Sequence, residues 1–389
     1  MTTPSTGITF TSIQTELGGT NPIALSEYYR GGSIVNTNQT SPNGTIPTSS
    51  QITVGVFRSV TKYIPVFTAT IGSNQTDLNL RTWAVANGWD GLKPATITVG
   101  SGVYVYATTT AGAGLTINGS WPGGLTLINN GYIMGMGGNG GGIAIASDGV
   151  TPTADIYAGS GGPAISLGVN VTITNNSYIG GGGGGGGQEC NLAQIWATAG
   201  IGGGGGGAGG GAGGAGAGVY YTPWGVEGGP GGAPGQVGTN GWWEQQFSGG
   251  GTGGGGGGRI FPGTGGAGSI WDAGGTGNSG YGSGYFGGTG GGAGGGGGNG
   301  YIGRTNYPYI GAGGAGGSGG NPGQDGQGYS GGLFYTGNAG GGGGWGASGG
   351  NPTEYYWGGA SGAAGGKAIA LNGYSATRNG SGTTYGAVS

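Results

Sequence analysis

The sequence predicts a mainly β protein: a β-rich N-terminal part with a solenoid-like layer of strands, followed by a bundle of polyglycine II helices with aromatic loops. Three observations predict it. Of 120 glycines in 389 residues, 17 lie within residues 1–130 and the other 103 follow. The first part holds short runs of β-branched and aromatic residues separated by Gly, Pro and Asn. A strand-turn string then recurs 46 residues apart, LTLINNGYIMG at 125–135 and VTITNNSYIG at 171–180, and both copies run straight into glycine.

Taken in order, strands are expected at 8–11, 51–57, 63–64, 66–71, 95–99, 103–107, 115–117 and 125–128. One helix is expected over 77–87, capped by Thr76 or Asp77, with Leu80, Trp83 and Val85 near one face and Gly88 as its stop. Residues 30–50 are Asn, Thr, Ser, Gly and Pro, the chemistry of a linker, and a hinge is placed there. The string GGPAISL at 161–167 returns as GGKAIAL at 365–371. Repeats of this kind predict a stacked strand layer that the C-terminal strand rejoins, closing the glycine-rich excursions between two anchored ends. The division read from these features is 1–62 as an attachment module and linker, 63–180 as a β-rich domain, 181–366 as the polyglycine bundle, and 367–389 as the returning strand.

Ordering a residue costs roughly 1–2 kcal/mol, most of all for glycine, and no side chain offsets it here. Only the backbone hydrogen bonds can, at roughly 0.5–1.5 kcal/mol each. A flexible linker and extended glycine helices packed side by side both satisfy that balance. Order is favoured by three features. The tracts are short, as at 180–187, 202–207, 253–258, 294–298 and 340–344. Some have period three, the turn length of that helix: Ala312, Ala315, Ser318, Asn321, Gln324 and Gln327 form one set, and Pro230, Ala233, Gln236 and Thr239 another. Each set is expected to face outward. The interruptions between tracts are aromatic rather than the Ser/Lys/Glu mixture of disorder, and SGGNP occurs in them at 318–322 and 348–352.

Composition also excludes. With no histidine and one cysteine, Cys190, the usual His/Cys metal sites, a Ser-His-Asp triad, a Cys-His pair and an intrachain disulfide are all absent. No cofactor or metal is expected, and Cys190 reads as a small buried apolar residue. Nine basic against twelve acidic residues leave no stripe that could neutralise phosphates, so nucleic acid is not an expected partner. The opening MTTPSTGITF lacks a basic segment followed by an apolar run, and no stretch of about 18 apolar residues occurs, so neither a secretion signal nor a membrane span is expected. Glu189, Glu227, Glu244, Asp272, Asp325 and Glu354 outnumber Arg259 and Arg304 in the glycine-rich part, but no spacing pairs two of them as the acid and base of a glycosidase. GxGxxG matches arise by chance in so much glycine, and no GKS or GKT follows. The expectation is a protein without enzymatic activity.

The aromatic interruptions are therefore the candidate binding residues: Trp196, Tyr220, Tyr221, Trp224, Trp242, Trp243, Phe247, Phe261, Trp271, Tyr285, Phe286, Tyr307, Tyr309, Phe334, Tyr335, Tyr355, Tyr356 and Trp357. Trp and Tyr provide large contact areas at low entropic cost and stack on sugars or fill protein pockets. The competing use is structural, since a glycine bundle has no side-chain core and aromatics could cover the ends of its rods.

In this alternation of glycine tracts and aromatic loops over roughly 180–366, the chain resembles the receptor-recognising adhesins at the tips of T-even-type phage tail fibres. The string TNPIALSEYYRGG at 20–32 is similar to a short module of phage tail and tail-fibre proteins. The long β-rich N-terminal part departs from the adhesin pattern. The resemblance implies a bundle of polyglycine II helices and a place on the virion, at the tail or tail-fibre tip. It implies as partners a bacterial outer-surface receptor, protein or glycan, and other tail or tail-fibre proteins. A homotrimer is common among fibres, whereas the resembled adhesins are single-chain caps. The alternatives are a purely structural virion protein, a shaft or decoration whose loops pack subunits together, and a secreted ice-binding or cell-wall glycine-rich protein, against which the missing signal counts.

Overall fold

Strands of three to five residues are too short to persist alone, and in the computed structural model they are held by strands from other passes of the same chain. The structure describes residues 2–20, 24–147, 152–188, 200–201, 203–220, 222–226, 228–236, 238–239, 243–246, 249–252, 254–259, 261, 325, 339–352 and 361–389. They form two units, Met1–Phe67 and Thr68–Ser389.

The first unit departs from its sequence reading. Helix α1 (Phe10–Leu17) replaces the expected strand at 8–11 because Thr9 and Ser12 cap it reciprocally, each side chain accepting from the other's backbone N–H. A 3-10 turn at Val54–Phe57 replaces the strand at 51–57, and 63–64 is not a strand. The supposed linker is part of the core. Val35 and Ile46 are buried with Ile13, Leu17, Tyr28, Val56, Phe57 and Val60, so polar turn composition at 30–50 concealed two apolar anchors.

The second unit winds through five passes. The first comprises β1 (Phe67–Ile71), β2 (Gln75–Thr76), β3 (Leu78–Asn79) and helix α2 (Leu80–Ala86). The second comprises β4 (Ala95–Val99), β5 (Tyr104–Tyr106) and β6 (Leu115–Ile117). In the third, β7 (Leu125–Asn129) and β8 (Tyr132–Met134) lead through glycine and a hairpin of β9 (Gly142–Ile145) and β10 (Pro152–Ile156) to β11 (Ile165–Leu167). In the fourth, β12 (Val171–Asn175) and β13 (Tyr178–Gly180) precede the long glycine-rich excursion. That excursion carries β14 (Gly200–Ile201), β15 (Gly216–Tyr220), β16 (Thr222–Val226), β17 (Trp243–Gln246) and β18 (Gly249–Thr252), and returns at β19 (Ile369–Ala370). The fifth adds β20 (Ala376–Asn379) and β21 (Thr383–Tyr385).

Equivalent strands of successive passes lie side by side, giving three sheets ordered β1-β4-β7-β12-β20, β2-β5-β8-β13-β21 and β3-β6-β11-β19. Ile97 pairs with Leu127 and Leu127 with Ile173, all buried, and Val105, Ile133 and Ile179 form the matching column of the next sheet. Threonines alternate with them on the outer face, as period two demands. The strings that recur in the sequence are neighbours in space: Thr126 pairs with Thr172, Tyr132 with Tyr178, and Ile165 with Ile369. The C-terminal segment rejoins the layer as expected.

Helix α2 is shorter than expected. Asn79 caps it by accepting from the Thr82 N–H, while Asp77 takes a φ of +47° and accepts from the Thr108 N–H instead. Its buried face is Leu80 and Ala84 rather than Leu80, Trp83 and Val85, and Val85 is exposed. Gly88 ends it at positive φ.

The repeated Asn-Asn pair closes one corner. The Asn129 Nδ2 donates to Asn175 Oδ1 at 2.8 Å and to the Tyr178 carbonyl at 3.1 Å, while Asn129 Oδ1 accepts from the Gly131 N–H. Both asparagines are buried. Asn129→Ala strands these groups without partners, and thermal or denaturant unfolding should show a loss of about 1–3 kcal/mol.

The glycine runs leave this stack and hydrogen-bond laterally with period three. In the run 181–188, Gly182 and Gly185 donate to Gly162 and Gly159, Gly183 and Gly186 to Ala208 and Gly205, and Gly184 and Gly187 to Ala347 and Gly350. Its carbonyls accept from three more runs: Gly183 from Gly138, Gly184 from Gly343, and Gly185 from Ala363. Six runs thus surround this one. A Cβ on Gly184 would lie 1.8 Å from the Ala363 carbonyl oxygen and one on Gly185 1.9 Å from that of Asn139, so only glycine allows the approach. At the margin the substituted positions face outward as expected: Pro230, Ala233, Gln236 and Thr239 are all exposed, while Gly229, Gly232 and Gly238 are buried. The set from Ala312 to Gln327 lies outside the described residues.

Candidate functional site

The direction of each run decides what is found at the two ends of the lattice. Runs 135–141 and 347–350 pair with 181–188 in parallel, and runs 159–162, 203–208, 340–346 and 361–366 pair antiparallel. Run 254–258 is parallel to 203–208, and 211–215 runs back against it. Chain segments therefore alternate outward and inward.

At the inner end, beside the strand stack, the reversals are tight. Gly209 and Gly210 turn at φ +99° and +85°, and Trp345-Gly346 makes another turn with Gly346 at +66°. At the outer end the described chain reverses through hairpins. The hairpins β9–β10, β15–β16 and β17–β18 are entered from outward runs and followed by inward ones, and the described residues flanking 189–199 and 353–360 end there too.

Several candidate aromatics fall on these outer hairpins: Tyr220 ends β15, Trp224 lies in β16 and Trp243 begins β17. Gly218 pairs with Trp224, and Trp243 with Thr252. Trp196, Tyr221, Trp242, Phe247, Trp271, Tyr285, Phe286, Tyr307, Tyr309, Phe334, Tyr335, Tyr355, Tyr356 and Trp357 lie outside the described residues, as do Cys190, Glu189, Glu227, Asp272, Arg304 and Glu354.

Phe261 must be reassigned. It is 8% exposed at the inner end, its ring 4.2 Å from that of the fully buried Trp345 and 5.3 Å from that of Tyr178, in near-parallel stacks. Tyr104, Tyr132, Tyr178 and Tyr385, contributed by β5, β8, β13 and β21, form a ladder of stacked rings beneath it. Gly180 makes the room, since a Cβ there would lie 2.6 Å from the Phe261 ring. Met134 and Ala208 complete the cluster. Phe261 therefore performs the structural role that aromatics between glycine runs were weighed for, and does not present a binding surface.

Arg259 locks the same segment. Its Nε donates to the Gly209 carbonyl at 2.9 Å, its Nη2 reaches the Met136 sulfur at 3.0 Å, and the guanidinium sits 4.9 Å from the centre of the Tyr106 ring. Burial lowers the Arg259 pKa, against the opposing pull of Tyr106 and Asp77. Burial, with a smaller contribution from the neighbouring ring, raises the hydroxyl pKa of Tyr104 and of Tyr385. Sequence reasoning passed over Trp345, the tyrosine ladder and this arginine clamp. A signal existed: the tyrosine recurs after the turn in each copy of the strand string, including two unrecognised copies at 95–106 and 376–386.

Among the described residues no group of three or more His, Cys, Asp or Glu side chains could hold a metal ion, and no helix is long and apolar enough to cross a membrane. What the geometry defines is a strand stack bearing a glycine lattice that carries three described hairpins at its outer end. Residues 66–252, just under half of the chain, match the family model of the phage tail fibre adhesin Gp38. Among solved structures, the gp37-gp38 adhesin tip complex of the bacteriophage S16 long tail fibre aligns at 18% identity over 87% of this chain and 88% of that one, with a TM-score of 0.35. No curated protein matches the chain.

Proposed function

We propose that the glycine runs are polyglycine II helices packed around a central one, that the three sheets beneath them form a solenoid serving as their base, and that aromatic loops at the outer end bind a receptor on the bacterial surface. The observation that carries this reading is the alternation of run direction, which delivers Tyr220, Trp224 and Trp243 to one end while the opposite end turns tightly against the strand stack. The period-three donation of run 181–188 to three neighbours is the hydrogen-bond pattern of a threefold extended helix. A rigid base lowers the entropic cost of presenting loops, and Trp and Tyr are the residues that dominate contact energies. The function is adhesion without bond cleavage, with the other tail-fibre proteins as assembly partners.

The structural alternative has one observation in its favour, the use of Phe261 and Trp345 as packing residues. Adsorption assays separate the two. Virions carrying Trp224→Ser and Trp243→Ser should form in normal numbers, yet adsorb to susceptible cells at least about tenfold more slowly, the effect of losing roughly 1.4 kcal/mol or more of contact energy. Fewer intact particles with unchanged adsorption per particle would support the structural alternative instead.

A further inference from the structure

The strand stack ends on β20 and β21, the last strands in their sheets, and among the described residues nothing pairs with their outer edges. Such an edge is a template for a further strand, and a regular parallel stack is the template that a second copy of the same chain fits best. The inward columns change character on this rung. Ile97, Leu127 and Ile173 are followed by Arg378, and Val105, Ile133 and Ile179 by Thr384. Thr377, Arg378 and Asn379 are exposed, whereas the corresponding interior residue of the preceding rung, Ile173, is buried.

We propose that this fifth pass is an end cap that prevents the stack from joining end to end with another copy of the chain, and that Arg378 is its principal element. A second stack seated on β20 would enclose the inward-placed guanidinium in an apolar column where no carboxylate is supplied, and an unpaired buried charge is strongly unfavourable. Arg378 and Thr384 pair with Ile173 and Ile179 and place polar residues where the preceding rungs have apolar ones. The cap acts on self-association and is independent of how the loops bind.

Sedimentation of the purified full chain tests this. The wild type should remain a single copy across the accessible concentration range, while Arg378→Ile combined with Thr384→Val should associate at concentrations at least about tenfold lower than any wild-type association. Arg378→Lys should behave as wild type, since it keeps the charge. Arg378→Ile alone should show the same trend if the double variant fails to fold, as judged by circular dichroism. A folded Arg378→Ile variant as monomeric as the wild type, or a wild type that associates through a face sensitive to Thr377→Pro, would overturn the proposal.

Discussion

Gly184→Ala should collapse the glycine lattice. The added methyl would stand 1.8 Å from the Ala363 carbonyl oxygen and 2.8 Å from that of Ala364, and backbone, unlike a side chain, has no rotamer through which to withdraw. Run 181–188 is enclosed by six others, so displacing one neighbour shifts the hydrogen bonds of the rest. A single overpacked methyl in an ordinary core costs about 1–3 kcal/mol, and here the expected loss is at the upper limit or beyond. Differential scanning calorimetry should show the melting temperature falling, with adsorption lost because the outer hairpins lose their support. The same addition at the margin should be nearly silent: Ala233 already carries a methyl, and Ala233→Ser should change the melting temperature little, since the position is exposed.

Phe261→Ala should produce the next largest effect. It removes a buried ring stacked on Trp345 and on the tyrosine ladder, in a site where Gly180 leaves the space that ring fills. Losses of about 3–5 kcal/mol accompany such truncations. Trp345→Ala should be similarly damaging, and the double variant should fall short of the sum by about 0.5–1.5 kcal/mol, the worth of the stacked pair. Since Phe261 lies at the inner end, whatever folded protein survives should still engage the receptor with its usual affinity. A receptor-contacting aromatic would show the reverse, a normal melt with weakened binding.

The strand layer was legible because repetition and period two coincide. The copies at 125–135 and 171–180, and those at 161–167 and 365–371, pair in the structure at the offsets their sequences set. The outward face of Pro230, Ala233, Gln236 and Thr239 was legible for a similar reason, a side chain being tolerated only where the lattice ends. Residues 1–67 were misread because capping, which depends on the single pair Thr9 and Ser12, outweighs the β-branched character of 8–11. Polar turn residues around Val35 and Ile46 likewise hid two core positions. Phe261 was misassigned because an aromatic next to a glycine run looks the same in sequence at either end of the lattice. Only the direction of the run distinguishes a loop from a base, and that direction is fixed by pairing between segments far apart in the chain, as between Gly182 and Gly366, 184 residues apart.

The central claim is that an ordered glycine lattice holds receptor-binding hairpins, and hydrogen-exchange mass spectrometry of the protein with and without envelope vesicles from a susceptible strain tests it most directly. Amides of 181–187, which donate to neighbouring runs and, from Gly181, to the Tyr385 carbonyl, should exchange only on global unfolding in both samples, while those of β15–β18 should gain protection when vesicles are added. Exchange of 181–187 at the rate of an unstructured chain, or hairpins indifferent to the vesicles, would contradict it.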